Sequence, residues 1–158
     1  STTVVSRVKI KDPVASKVVI GTKTIAPSGH FIFPLKKYHY ISSPFGWRWL
    51  RGQRNYHQGL DISANYGTPI YAADAGVVTE AGWGGSLGYC VKIDHGNGII
   101  TIYGHASSID PAIYVGKKVY QGEVLAYVGS TGNSTGNHLH FAVYQKSSRT
   151  YLDPQKYL

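Results

Sequence analysis

Val4-Val5-Ser6-Arg7-Val8-Lys9-Ile10-Lys11 alternates apolar and polar side chains, the two-residue period of a half-exposed strand, and Pro13 breaks the run before a second one, Lys17-Val18-Val19-Ile20. Two strands do not make a stable domain alone, so this segment reads as an appendage. Ala26-Pro27-Ser28-Gly29 reads as a linker. From about Phe31 to Leu158 short Val-, Ile- and Tyr-rich runs recur between glycine-marked turns. This pattern predicts an all-β chain, with strands at Pro69 to Ala72, Gly76 to Ala81, Tyr89 to Asp94, Ile99 to Gly104, Val124 to Gly129 and His138 to Tyr144. His95-Gly96-Asn97-Gly98 predicts a hairpin turn, because Asn-Gly accepts positive φ. No segment has the pattern of a ten-residue helix, although Ser107 to Ile113 has room for one helical turn.

Two stretches look alike, Tyr66 to Val78 and Val115 to Gly129, each placing small and β-branched residues around glycine corners. Such corners suit an antiparallel flattened barrel or sandwich built from a duplicated motif. Biotin and lipoyl carrier domains share the second pattern, but a lysine at a hairpin tip with carrier-type flanks is missing here.

Composition narrows the class. The 158 residues suit one domain plus a short appendage, and 42% hydrophobic against 15% charged residues excludes disorder. No apolar run reaches the roughly 18 to 20 residues of a bilayer-spanning helix. With no methionine and a start at Ser1-Thr2-Thr3, the chain reads as a processed or trimmed piece of something longer. The net charge of +8 favours polyanions: nucleic acids, anionic membranes or wall polymers. Half of that charge sits in residues 1–26, which carry Arg7, Lys9, Lys11, Lys17 and Lys23 against Asp12, and the rest lacks the basic-aromatic pattern of a nucleic-acid groove. The lone Cys90, inside Tyr89-Cys90-Val91, allows no internal disulfide and reads as a buried thiol.

The chemistry is carried by histidine. In Tyr56-His57-Gln58-Gly59-Leu60-Asp61 a His and an Asp stand four apart across a glycine that can bend the chain, and both are good ligands for a divalent metal. In Asn137-His138-Leu139-His140-Phe141 the strand period puts both imidazoles on one face and Leu139 and Phe141 on the other. In Tyr103-Gly104-His105 an imidazole ends an apolar run, at a suitable place to face a cleft. Each cluster has a bland alternative: His57 as an exposed loop residue, Asp61 as a cap or turn, His105 as a hydrogen-bonded strand end. Together, a His, an Asp and a His supply three protein ligands, and three ligands with an open position make the catalytic kind of zinc site. His30, His39 and His95 lie in a linker, an aromatic stretch and a turn, and are read as non-functional.

His57-x-x-x-Asp61, Tyr103-Gly104-His105 and the run Gly129 to Phe141 resemble, in order and separation, the motifs of the lysostaphin-type zinc peptidases, the LytM-like M23 family of peptidoglycan endopeptidases. The likeness extends over roughly Ser43 to Asp153 and includes Ser43-Pro44-Phe45-Gly46-Trp47-Arg48 and Gly59-Leu60-Asp61-Ile62. Val18-Val19-Ile20-Gly21-Thr22-Lys23 is similar to the tail of a G5 module. The resemblance implies an organisation of 1–26 as a G5-like tail, 27–42 as linker and lead-in, and 43–158 as peptidase domain. It implies Zn²⁺ bound by His57, Asp61 and His140, with His105 and His138 unligated in the active site. Asn137 and Ala142 depart from the family's usual Pro and Glu, which bears on fine substrate preference. The implied activity is hydrolysis of amide bonds in the cross-links or stem peptides of bacterial peptidoglycan by a secreted or wall-associated enzyme. The expected partners are peptidoglycan and anionic wall polymers, with no nucleic acid, and the expected state is a monomer. A catalytically silent wall-binding or regulatory module on the same fold is the alternative. Some family members are blocked by an upstream Asn or Asp, for which Asn55 is the only asparagine before His57. Trp47, Trp49 and Trp83 suit either groove walls or core packing.

Overall fold

The structure, a computed structural model, describes residues 26–158 and, ahead of them, the backbone of two short paired strands, β1 (Val19–Ile20) and β2 (Lys23–Thr24). The alternating run at Val4 to Lys11 lies outside the described residues, as do Val18, Gly21 and Thr22 of the G5-like stretch. The other strands are β3 (Tyr40–Ser43), β4 (Gly46–Leu50), β5 (Gln53–His57), β6 (Leu60–Ser63), β7 (Pro69–Tyr71), β8 (Gly76–Trp83), β9 (Tyr89–Asp94), β10 (Ile99–Ile109), β11 (Lys118–Val119), β12 (Val124–Val128), β13 (His138–Gln145) and β14 (Thr150–Leu152). Ten of these form one antiparallel sheet in the order β11-β8-β9-β10-β13-β6-β3, with β12 joining β10 to β7 and β14 flanking β13. The hairpin β4–β5 stands apart from it. This is the flattened all-β sandwich that the glycine corners predict.

All six expected strands are present. β10 runs on to Ile109, so the room for a helical turn after Ser107 is taken by strand and then by a tight turn in which Ile113 N–H donates to the Asp110 carbonyl at 2.9 Å. At the predicted hairpin, positive φ falls on Gly96 and Gly98 (80° and 86°), and His95 N–H donates to the Ile99 carbonyl at 3.0 Å. Strands β3 to β6, β11 and β14 were not foreseen. They are short, and β4 and β5 bury little; β6 does alternate, with Leu60 and Ile62 buried and Asp61 and Ser63 less so, but over four residues only.

The two similar stretches pair with each other reciprocally. Gly67 N–H donates to the Val128 carbonyl and Gly116 N–H to the Val78 carbonyl, both at 2.8 Å. Val128 N–H returns to the Thr68 carbonyl at 2.8 Å, and Val78 N–H to the Lys117 carbonyl at 2.9 Å. Gly67 and Gly116 hold φ of 86° and 94°, a left-handed corner open to glycine at no steric cost. Each copy thus donates a first strand to the other's second strand.

The core is built from Leu60, Ile62, Ile70, Val91, Ile93, Tyr103, Leu125, Leu139, Phe141 and Val143, all fully buried, each contributing about 1.5–3 kcal/mol for its larger side chains. On β13 that apolar face fixes the strand's orientation and turns His138 and His140 outward. The expected lead-in is held against this core: Leu35 is buried, and the fully buried Asp74 carboxylate accepts the Ser28 and Gly29 N–H groups at 2.9–3.1 Å and the Ser28 hydroxyl at 3.0 Å.

A buried polar chain crosses the sheet. His95 Nδ1–H donates to the Ala75 carbonyl at 2.7 Å, Nε2 takes the Thr101 hydroxyl at 2.8 Å, Thr101 Oγ1 takes the Tyr103 hydroxyl at 2.8 Å, and Tyr103 takes Ala73 N–H at 2.9 Å. This order is complete with a neutral imidazole, and burial pushes the His95 pKa below its ordinary value. A depressed histidine contributes stability that is present above the unfolded pKa of about 6.5 and is lost as pH falls through the folded value. The unfolding midpoint of chelator-treated protein is therefore expected to decline from about pH 6.5 toward pH 5. His95→Gln is expected to start lower and to show a shallower decline, as read by thermal melts across that range.

Candidate metal centre

His57 closes β5 and is buried, not exposed in a loop, while Asp61 sits one residue into β6 with Leu60 and Ile62 pointing the opposite way into the core. Antiparallel pairing of β6 with β13 sets Asp61 directly opposite His140. The strand period therefore delivers both side chains to one face. His57 Nε2 lies 3.2 Å and His140 Nδ1 2.9 Å from Asp61 Oδ1, and the two ring nitrogens are 3.3 Å apart. His57, Asp61 and His140 are the group found among the described residues whose donor atoms all lie within 4.8 Å of one another. Zinc–ligand bonds of about 2.0–2.1 Å in a tetrahedron put neighbouring donors about 3.3 Å apart, so the spacing and the mixed N and O chemistry of this donor set suit that ion.

Local contacts aim each candidate ligand. His57 Nδ1–H donates to the Pro44 carbonyl at 3.0 Å, leaving Nε2 for the site. Gly59, expected to bend the chain, provides space: a Cβ there would lie 2.5 Å from His140 Cε1 and 2.7 Å from Nε2, and its φ is not in the left-handed region. Burial of Asp61 opposes its charge, but hydrogen bonds and positive charge from His140 and His57 outweigh it and hold the carboxyl well below the usual range.

The other two imidazoles join the same site. Opposite Cys90, β10 carries an extra residue, because Tyr89 pairs with Ala106 and Val91 with Tyr103. His105 occupies this bulge at φ 62°, a conformation uncommon outside glycine, and the bulge re-aims its ring toward the groove. Its Nδ1–H donates to the Thr131 carbonyl at 2.7 Å. The His138 Nδ1–H donates to the Gly136 carbonyl at 2.8 Å, with Nε2 3.7 Å from Asp61 Oδ1. The rings of His105 and His138 are 4.7 Å apart, and His105 is 5.9 Å from His140. Burial lowers the His105 pKa, reinforced by its neighbours His138 and His140 against the pull of the Thr131 carbonyl.

All five predicted residues thus line one groove of about 450 Å³. Its walls include Arg48, Tyr56, Leu87, Ser134 and Tyr151. Trp47, Trp49 and Trp83 are exposed, 60–75%, and line neither the core nor this groove. Asn55 stands on the groove wall, with its Oδ1 accepting from Arg48 Nε at 2.9 Å. His95 is buried structurally, His39 Nε2 meets Asn65 Oδ1 at 2.9 Å, and His30 is exposed. The buried Cys90 thiol is pushed up to about 12 by burial and by Glu80, which it meets at 3.2 Å. Sequence reasoning missed the carbonyls of Pro44, Thr131 and Gly136, because an acceptor on the main chain leaves no residue signature. Arg48 was visible only as part of the resemblance.

The model of peptidase family M23 matches residues 55–154. The DD-carboxypeptidase/endopeptidase Mpg of Neisseria meningitidis is 41% identical over 121 residues, covering 75% of this chain and 27% of Mpg. The peptidoglycan DD-endopeptidase ShyC of Vibrio cholerae is 38% identical over 122 residues, covering 73% of this chain and 28% of ShyC. A solved zinc-containing peptidase from Vibrio cholerae superposes with a TM-score of 0.68 at 29% identity, covering 81% of this chain and 39% of that one. The chain thus spans about a quarter of the length of the curated relatives it matches.

Proposed function

The chain belongs to peptidase family M23, and from that premise we propose that it is the catalytic part of a zinc endopeptidase that hydrolyses amide bonds in the peptide part of bacterial peptidoglycan. In this reading His57, Asp61 and His140 hold the metal, and His105 and His138 are the catalytic residues. The observation that carries it is the convergence of these five side chains from β5, β6, β10 and β13 on one groove. The names of the relatives supply the substrate class, and the zinc-containing neighbour supplies the ion.

When bound, zinc supplies Lewis-acid polarisation of the scissile carbonyl and a lowered pKa for water. The protein's own part is proton handling and orientation. With Nδ1–H of each ring fixed on a backbone carbonyl, His105 and His138 offer Nε2 to the reaction. The two share three tasks: taking a proton from the attacking water, stabilising the oxyanion, and returning a proton to the leaving amine. The depressed His105 pKa keeps that ring neutral and able to accept a proton near neutral pH. The excess of basic residues suits an enzyme working among anionic wall polymers. Among the described residues no helix is long and apolar enough to cross a membrane. The proposed place of action is the cell wall outside the cytoplasm.

The test is release of dye from labelled wall sacculi. Zinc-loaded protein is expected to release it, chelator to stop release, and added zinc to restore it. Release that ignores chelator, or no release by protein shown to hold zinc, contradicts the proposal.

A further inference from the structure

The two oxygens of the Asp61 carboxylate have different surroundings. Oδ1 faces three imidazoles, at 2.9 Å from His140 Nδ1, 3.2 Å from His57 Nε2 and 3.7 Å from His138 Nε2. Oδ2 faces Arg48, whose Nη1 lies 3.5 Å away. The guanidinium is itself fixed at two further points: Nη1 donates to Ser43 Oγ at 2.9 Å and Nε donates to Asn55 Oδ1 at 2.9 Å. These anchors come from register. Ser43 of β3 pairs with Asp61 of β6, and Asn55 of β5 pairs with Arg48 of β4. Ser43 Oγ also lies 3.4 Å from His57 Nδ1, so the same cluster reaches two of the three ligands.

We propose that Arg48 is a positioning residue for the metal site, holding Asp61 Oδ2 so that Oδ1 alone is presented to the ion. The inference rests on the metal-site reading above. A free carboxylate can rotate or offer both oxygens, and a cation on one of them removes that equivalence. Arg suits this task because its planar fork makes several hydrogen bonds in fixed directions, whereas a lysine ammonium is a point charge on a flexible stem. Arg48 and Asp61 side chains are 24% and 14% exposed, so the pair's value lies in orientation more than in folding stability. It also ties the β4–β5 hairpin, which walls the groove, to the ligand at the floor.

The test is zinc affinity of the full chain, measured by competition with a chromophoric chelator, beside thermal melts of the chelator-treated proteins. Arg48→Gln is expected to bind zinc about 10- to 100-fold more weakly, as loss of a partner behind a ligand does. Arg48→Lys and Asn55→Ala, which keep the charge or the guanidinium, are expected to fall between Arg48→Gln and wild type. A residue that only braces the hairpin or touches substrate would raise KM and leave zinc affinity alone. Zinc affinity of Arg48→Gln within twofold of wild type overturns the proposal. If Arg48→Gln does not fold, unchanged affinity in both Arg48→Lys and Asn55→Ala overturns it equally. Wild-type protein that binds no zinc sinks the metal-site reading and this inference with it.

Discussion

His140→Ala is expected to purify as folded protein that retains no zinc through dialysis and releases no dye from sacculi. Folding survives because β13 is held by Leu139, Phe141 and Val143, all fully buried, while His140 points to the groove. Metal binding does not survive because one of three protein donors is gone. Four-ligand structural zinc sites bind with about 10–16 kcal/mol, roughly 2.5–4 kcal/mol per ligand, so the loss is on the order of 10²- to 10³-fold in affinity. The mutation also leaves Asp61 Oδ1 without its nearest partner, at 2.9 Å. Metal analysis of the dialysed protein and a melt in chelator separate loss of metal from loss of fold. Zinc retained at wild-type stoichiometry by His140→Ala, together with its loss from His138→Ala, would reverse the assignment of the pair.

The second large effect is of another kind. His105→Ala and His138→Ala are each expected to keep zinc and to lose about 10²- to 10⁴-fold in turnover, roughly 3–5 kcal/mol of transition-state stabilisation. Both rings have Nδ1 engaged by a backbone carbonyl, Thr131 for one and Gly136 for the other, so each is aimed with Nε2 available and neither belongs to the close-set donor group. Because the two rings are 4.7 Å apart and share the tasks of acid and base in the proposed mechanism, the double variant is expected to lose less than the product of the single losses. Steady-state kinetics on zinc-loaded single and double variants measure this. Loss of zinc from either single variant would move that ring into the ligand set.

How much of this was legible beforehand depends on what kind of signal each feature leaves. The period of two along Asn137-His138-Leu139-His140-Phe141 encodes both the burial of Leu139 and Phe141 and the outward face of the histidines, and the structure has both. The resemblance to family M23 brought in the separation between motifs, which one sequence cannot convert into contact. That Asp61 stands opposite His140 is a matter of β6–β13 register, set by core packing along both strands. The role of Gly59 was visible as a glycine but not as a reason: the sequence offers a bend, whereas the neighbouring ring requires empty space. The positive φ of His105 left no trace at all, since it arises where β9 and β10 fall out of step by one residue. Strands β4 and β5 escaped notice because the hairpin is largely exposed: Trp47 and Trp49 alternate with Arg48, but over five residues and on a face that covers no core. Trp47 and Trp49 on that hairpin and Trp83 at the end of β8, read from sequence as groove walls or core, are exposed and line neither.

Diffraction from zinc-loaded crystals, with anomalous data on both sides of the zinc absorption edge, reaches the central claim most directly. One anomalous peak bonded by His57 Nε2, Asp61 Oδ1 and His140 Nδ1, with His105 and His138 nearby but unbonded, is the expected result. A peak held by other residues, or bonds from His105 or His138 in place of these, would contradict the account.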